Sequence, residues 1–114
     1  NFLKLCKIKY YNGCLFYNVQ SGFIVQTGDP SGNGKGGKSV EGIIKNNVNH
    51  IFKDEIHKSM KFDRLGCVGM AHINDQSDSN RSQFFITLRG EDLDMFDEKY
   101  TLFGMIAEDL DMFD

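Results

Sequence analysis

The sequence predicts a mainly β domain built from short antiparallel strands. Three observations carry that reading. Ten phenylalanines and no tryptophan suit a sheet with a compact aromatic core. Several short β-rich runs, CLFYNV, FIVQ, CVGMA, QFFITL and TLFGMI, are set apart by turns and polar loops. The runs do not alternate with helices as they would around a parallel sheet.

The elements follow in order. Phe2, Leu3, Leu5, Cys6 and Ile8 recur with roughly helical spacing, so residues 2–10 predict a short helix. Asn12-Gly13 is a turn signal. CLFYNV (14–19) and FIVQ (23–26), split by Gln20-Ser21-Gly22, predict a hairpin. Residues 27–39, TGDPSGNGKGGKS, predict a long glycine-rich loop. Val40, Ile43, Ile44, Val48 and Ile51 form a partial helical stripe over 40–52, weakened by Gly42 and three asparagines. CVGMA (67–71) predicts a strand, and NDQSDSNRS (74–82) a polar loop. QFFITL (83–88) predicts the clearest buried strand, and TLFGMI (101–106) another. The heptapeptide EDLDMFD occurs at 91–97 and again at 108–114. It is too short for a solenoid repeat, and such an acidic cluster reads as a solvated face.

The 114 residues suffice for one domain, 1–114, with one core. A formal charge of −3 gives no global basic field, so no direct nucleic-acid binding is expected. No apolar run is long enough to cross a bilayer. Cys6, Cys14 and Cys67 are odd in number and form no CxxC pair, which points to a reducing compartment. Each is read as a small buried hydrophobe. His50 and His57 flank Asp54 and Glu55 without a recognised ligand spacing, so no metal is expected.

GNGKGGKS, Gly32 to Ser39, satisfies the phosphate-loop pattern G-x-x-x-x-G-K-[ST]. A strand precedes it and a weak helical stripe follows, as that reading requires. Against it, Asp29-Pro30 separates strand from loop, and surplus glycine lets a chance lysine and serine complete the pattern. No convincing acidic motif follows, because Gly69, His72 and Asn74 make VGMAHIND a poor buried strand. Nucleotide binding is therefore a minor alternative.

The ordered blocks FYNV, GFIVQTGDP, GxGxGG, GxVxMA, SQFFIT and TLFG cover most of residues 1–107. Together they resemble the cyclophilin family, in which the equivalents read F-H-R-V, G-F-M-x-Q-G-G-D-P, G-x-G-x-G-G, G-x-x-x-M-A-N, S-Q-F-F-I-T and V-F-G. The segment NFLKLCKIKYYNGCLFYNVQ is similar to nuclear cyclophilins that carry an RNA-recognition domain elsewhere. The resemblance implies a closed antiparallel β-barrel with capping helices. On that comparison the chain is a partial domain, lacking the first hairpin, part of the first helix, the closing helix and the last strand.

The resemblance also implies peptidyl-prolyl cis-trans isomerase activity with no cofactor. Carried over by position, Phe23, Ile24, Phe85 and Phe96 would form the proline pocket, Ile24 replacing a methionine and Phe96 a leucine. Gln26 would engage the substrate backbone. Ala71 and His72 would contact it mainly through their own backbone, and Gln83 would line the neighbouring groove. Asn18 stands where the family has its catalytic arginine, so Asn18 and Gln26 are the catalytic candidates and weak activity is implied. Met95 would contact substrate in place of a frequent tryptophan, so tight cyclosporin binding is not expected, and Tyr100 would do so at the pocket rim in place of a histidine. The implied partners are proline-containing peptides, and ribonucleoproteins through a domain outside this chain. The implied location is nuclear, with cytoplasmic as the alternative. A second reading of the same pocket is a proline-peptide binding module without turnover.

Overall fold

A computed structural model describes residues 1–107. The second EDLDMFD, at 108–114, lies outside the described residues. Five antiparallel strands form one sheet: β1 (Asn18–Gln20), β2 (Ile24–Thr27), β3 (Cys67–His72), β4 (Asn80–Thr87) and β5 (Leu102–Met105). Their order is β1-β2-β4-β3-β5. Two short α-helices accompany them among the described residues, α1 (Phe2–Lys7) and α2 (Val40–Ile44).

The register explains the two faces of the sheet. Gln26, Phe85 and Gly69 stand in one cross-strand row, and Leu102 pairs with Gly69. The adjacent row is Val25, Ile86, Val68 and Gly104. Alternation along each strand then sends the two rows to opposite faces. One face gathers Ile24, Cys67, Ala71 and Phe85, with Phe62, Leu93 and Phe96 from the loops. The other gathers Val25, Val68 and Ile86, with Phe84, Phe103 and Ile106 against them. On that second face α1 lays Phe2 across Phe84 and Phe103, with ring centroids 5.2 and 4.9 Å away.

Several expectations need correction. In the predicted hairpin, pairing starts at Asn18, so residues 14–17 are not strand. Gly22, with φ +68°, makes the turn. The stripe over 40–52 is helical only to Ile44. Asn46 takes φ +52° and ends it, and the Asn47 N–H closes back on the Gly42 carbonyl at 2.8 Å. Asn80, Arg81 and Ser82 belong to β4 rather than to a loop. Of the cysteines only Cys67 is buried; Cys6 is exposed and Cys14 half-buried. The first EDLDMFD is not merely a solvated face. Its Leu93 is fully buried, Phe96 joins the core, and the Asp97 carboxylate accepts from the Phe62 N–H at 2.8 Å.

Gly69 does not weaken β3, which is buried along its length to Ala71. It makes room for two rings. A Cβ there would lie 2.7 Å from Phe85 Cζ and 2.9 Å from Phe62 Cε1. We expect Gly69→Ala to destabilise the domain by about 1–3 kcal/mol through overpacking, read from the urea midpoint. An unchanged midpoint would mean that the rings move aside freely.

Candidate functional site

The aromatic face of the sheet opens into a cavity of about 240 Å3. Its floor is hydrophobic. Ile24 comes from β2 and Phe85 from β4, while Phe23 ends the hairpin turn. Phe96 arrives on the turn after Leu93, whose N–H bonds to the Phe62 carbonyl at 2.8 Å. Phe96 lies 5.4 Å from Phe23 and 5.2 Å from Phe85, ring centre to ring centre. Phe62 stacks on Phe85 from behind at 5.6 Å. Offset and edge contacts of this kind favour a fixed ring cluster over a fluid one.

Tyr100, Ala71 and His72 also line the cavity. The Tyr100 ring packs edge-on against Phe85 and Phe96, and 4.6 Å from His72. Its hydroxyl donates to the Asp75 carboxylate at 3.2 Å. Burial raises the Tyr100 pKa; the Lys99 charge opposes it next, and Asp75 adds to the rise. The His72 side chain is only 1% exposed, so what His72 presents outward is its backbone. Its Nε2 meets Asp54 Oδ1 at 2.8 Å. Burial pushes the Asp54 carboxyl upward. Hydrogen bonds from Asn80, the Asp78 N–H and His72 outweigh it and hold the group below its ordinary value.

The lip is polar and made of primary amides. Asn18 Nδ2 donates to Gln26 Oε1 at 3.3 Å, and Gln20 Nε2 donates to Asn18 Oδ1 at 3.2 Å. All three residues line the cavity. Gln26 Nε2 donates inward to Gln83 Oε1 at 3.2 Å.

Nine of the eleven residues singled out in the sequence therefore surround one cavity: Asn18, Phe23, Ile24, Gln26, Ala71, His72, Phe85, Phe96 and Tyr100. Two expectations are corrected. Met95 is 58% exposed and does not line the cavity. Gln83 lines no groove with its side chain. It is 2% exposed, and its Nε2 donates to the carbonyls of Gly34 and Gly36 at 3.1 and 2.8 Å. Sequence reasoning missed Gln20, Asp75 and Phe62. Gln20 was accessible, since it lies two residues from Asn18 on the same strand face. Phe62 sits in a stretch without periodicity, and Asp75 is aimed by a φ of +55° that no pattern announces. His50 bonds to Ser39 at 2.8 Å while Asp54 bonds to His72, so those residues belong to separate networks.

The glycine loop cradles an anion of its own. Asp29 is fully buried beneath it. One carboxylate oxygen accepts from the Gly34 and Gly36 N–H groups at 2.7 and 3.1 Å, and the other from Ser31 N and Oγ at 2.9 and 2.7 Å. The donors that a phosphate would need are thus turned onto an internal carboxylate. Ser39, the motif's last residue, caps α2 by accepting from the Gly42 N–H at 3.0 Å.

Burial pushes the Asp29 carboxyl upward, but the hydrogen bonds from Ser31, Gly36 and Gly34 prevail and lower its pKa overall. A lowered folded pKa means the unfolded chain binds the proton first. The stabilisation is full above the ordinary aspartate value of about 3.9 and is lost as pH falls through the lower folded value. Asp29→Asn should therefore cost about 1–3 kcal/mol near neutrality and flatten the acid limb of a stability-against-pH curve. An acid limb identical to that of the wild type would refute the assignment.

The family described as "Cyclophilin type peptidyl-prolyl cis-trans isomerase/CLD" matches residues 1–114. Among curated proteins, the chain is 52% identical to peptidyl-prolyl cis-trans isomerase CYP59 of Arabidopsis thaliana, over 97% of this chain and 21% of that protein. It is 48% identical to the human peptidyl-prolyl cis-trans isomerase-like 4, over 98% of this chain and 22% of that one. The chain thus spans about a fifth of the length of these two relatives. Among solved structures, a Cryptosporidium parvum cyclophilin-type isomerase crystallised in the presence of the dipeptide Ala-Pro superposes with a TM-score of 0.83. It is 37% identical, and the match covers 97% of this chain and 65% of that one.

Proposed function

The chain belongs to the cyclophilin-type peptidyl-prolyl cis-trans isomerase family, and on that footing we propose that its cavity binds X-Pro segments of proteins and accelerates rotation about the bond before proline. The observation that carries the proposal is the meeting of Phe23, Ile24, Phe85 and Phe96 beneath a lip of amide donors. An apolar floor suits a pyrrolidine ring.

The rotation itself makes and breaks no covalent bond. Its barrier of about 18–20 kcal/mol comes from lost amide resonance, and both isomers of X-Pro are populated. Twisting the amide returns a lone pair to the prolyl nitrogen, so a donor placed there stabilises the transition state more than either ground state. In this reading the ring is gripped in the cup, Gln26 holds the substrate backbone, and Asn18 stands where the prolyl nitrogen would lie. A neutral amide is a weaker and shorter donor than a guanidinium, and this makes the enzyme slow.

The same residue supports a second reading, a proline-peptide binding module without significant turnover. The reading extends to a nuclear setting, with ribonucleoprotein partners reached through sequence outside this chain. Its support is the likeness of residues 1–20 to the nuclear subgroup. Met95, turned out of the cavity, supports weak or absent cyclosporin binding.

Exchange spectroscopy by NMR on a short X-Pro peptide separates the two activities. We expect cis–trans exchange faster than in free peptide. Asn18→Arg should raise that exchange by roughly 100-fold, the lower end of the range for one preorganised donor, at nearly constant peptide affinity. Binding without exchange enhancement in either protein would favour the binding module.

A further inference from the structure

We propose that the carbonyl groups of Gly34 and Gly36 set the polarity of the whole amide lip, so that Asn18 and Gln26 offer the cavity N–H donors, with Gln83 as the positioning residue. The inference rests on the isomerase reading above and adds to it how a neutral side chain can serve in place of a cation.

A backbone carbonyl can only accept a hydrogen bond. Gln83 faces the Gly34 and Gly36 carbonyls at 3.1 and 2.8 Å, so the atom turned toward them must be its nitrogen. Its oxygen then faces the other way, where it accepts from the Tyr17 hydroxyl and from Gln26 Nε2. Burial, with the nearby Asp29 charge, pushes the Tyr17 phenol up to about 12, which keeps it a donor. Two donated and two accepted bonds satisfy the Gln83 amide completely, at 2% exposure. Flipping it would set oxygen against two carbonyls in a desolvated site.

The direction propagates outward. Because Gln83 presents oxygen, Gln26 must present nitrogen to it. Gln26 oxygen is thereby turned to Asn18, which must answer with its own nitrogen. Asn18 oxygen is left to accept from Gln20. Every amide in the chain has one orientation, fixed by backbone that cannot titrate or rotate. Asn18 and Gln26 each spend one of their two N–H groups within this relay, and the other has no partner among the described residues. Both residues line the cavity, so the lip meets a substrate with donors. Asn18 Nδ2 is suited to the prolyl nitrogen and Gln26 Nε2 to a peptide carbonyl. Neighbouring dipoles that point one way also polarise one another.

The test separates polarity from packing. Asn18→Asp keeps the shape of the side chain and removes its donor. We expect peptide affinity within about twofold of wild type and exchange enhancement reduced at least tenfold. Gln83→Leu should lower the exchange rate likewise while the cup still binds. It should also shift the side-chain NH2 resonances of Asn18 and Gln26 to the positions of free amides, which a packing defect alone would not do. Full exchange in Asn18→Asp, or unmoved side-chain amide resonances in Gln83→Leu, would overturn the proposal. Should Gln83→Leu not fold, the wild-type Gln83 NH2 protons decide. Protection from solvent exchange supports the lock, and exchange at free-amide rates overturns it. Perturbation of the Phe85 and Phe96 ring resonances by peptide reports binding itself. Its absence in the wild type would fell the isomerase reading, whereas its presence with a fully active Asn18→Asp would fell this inference alone.

Discussion

The buried Asp29 carboxylate is the contact on which the site depends. It lies beneath the glycine loop and gathers N–H groups from Ser31, Gly34 and Gly36. A carboxylate this enclosed would be costly without partners, so loop and charge require each other. Gripping the loop by its N–H groups leaves the carbonyls of Gly34 and Gly36 facing Gln83. Gly37, at φ +109°, lies so near Ser82 that a Cβ there would stand 2.2 Å from its Oγ. Gly36 is crowded in the same way by the anion itself, a Cβ there standing 2.4 Å from Asp29 Oδ1.

The sheet contributes by subtraction as well as by side chains. In the row Gln26–Phe85–Gly69, the missing side chain of Gly69 gives Phe62 and Phe85 the space in which they stack. Phe85 then has neighbours on several sides, Phe62, Phe96 and Tyr100. Rings braced on several sides in that way have little room to rearrange.

How far this was legible in the sequence differs by element. The strand at 83–88 and the hairpin around Gly22 declared themselves through β-branched and aromatic runs and a glycine turn. The cup could be assembled because Phe23, Ile24 and Phe85 sit in blocks with a family likeness and Phe96 falls at the position of a family leucine. Gln83 belonged to such a block too, yet its role was misjudged. Composition says that a glutamine is polar; only coordinates say that loop carbonyls have claimed it. The extent of α2 was overestimated because Asn46 escapes into the left-handed region, which a hydrophobic stripe cannot reveal. Leu93 was hidden inside an acidic heptapeptide whose charges drew attention from its burial.

The lip has a quality that sets this site apart from one built on a guanidinium. Asn18, Gln20 and Gln26 bear no formal charge, and Asp75, the nearest carboxylate of the cavity, already has Lys99 at 3.9 Å. Counterions gather around net charge and scarcely respond to fixed dipoles. A site working through oriented amides is thus largely indifferent to ionic strength.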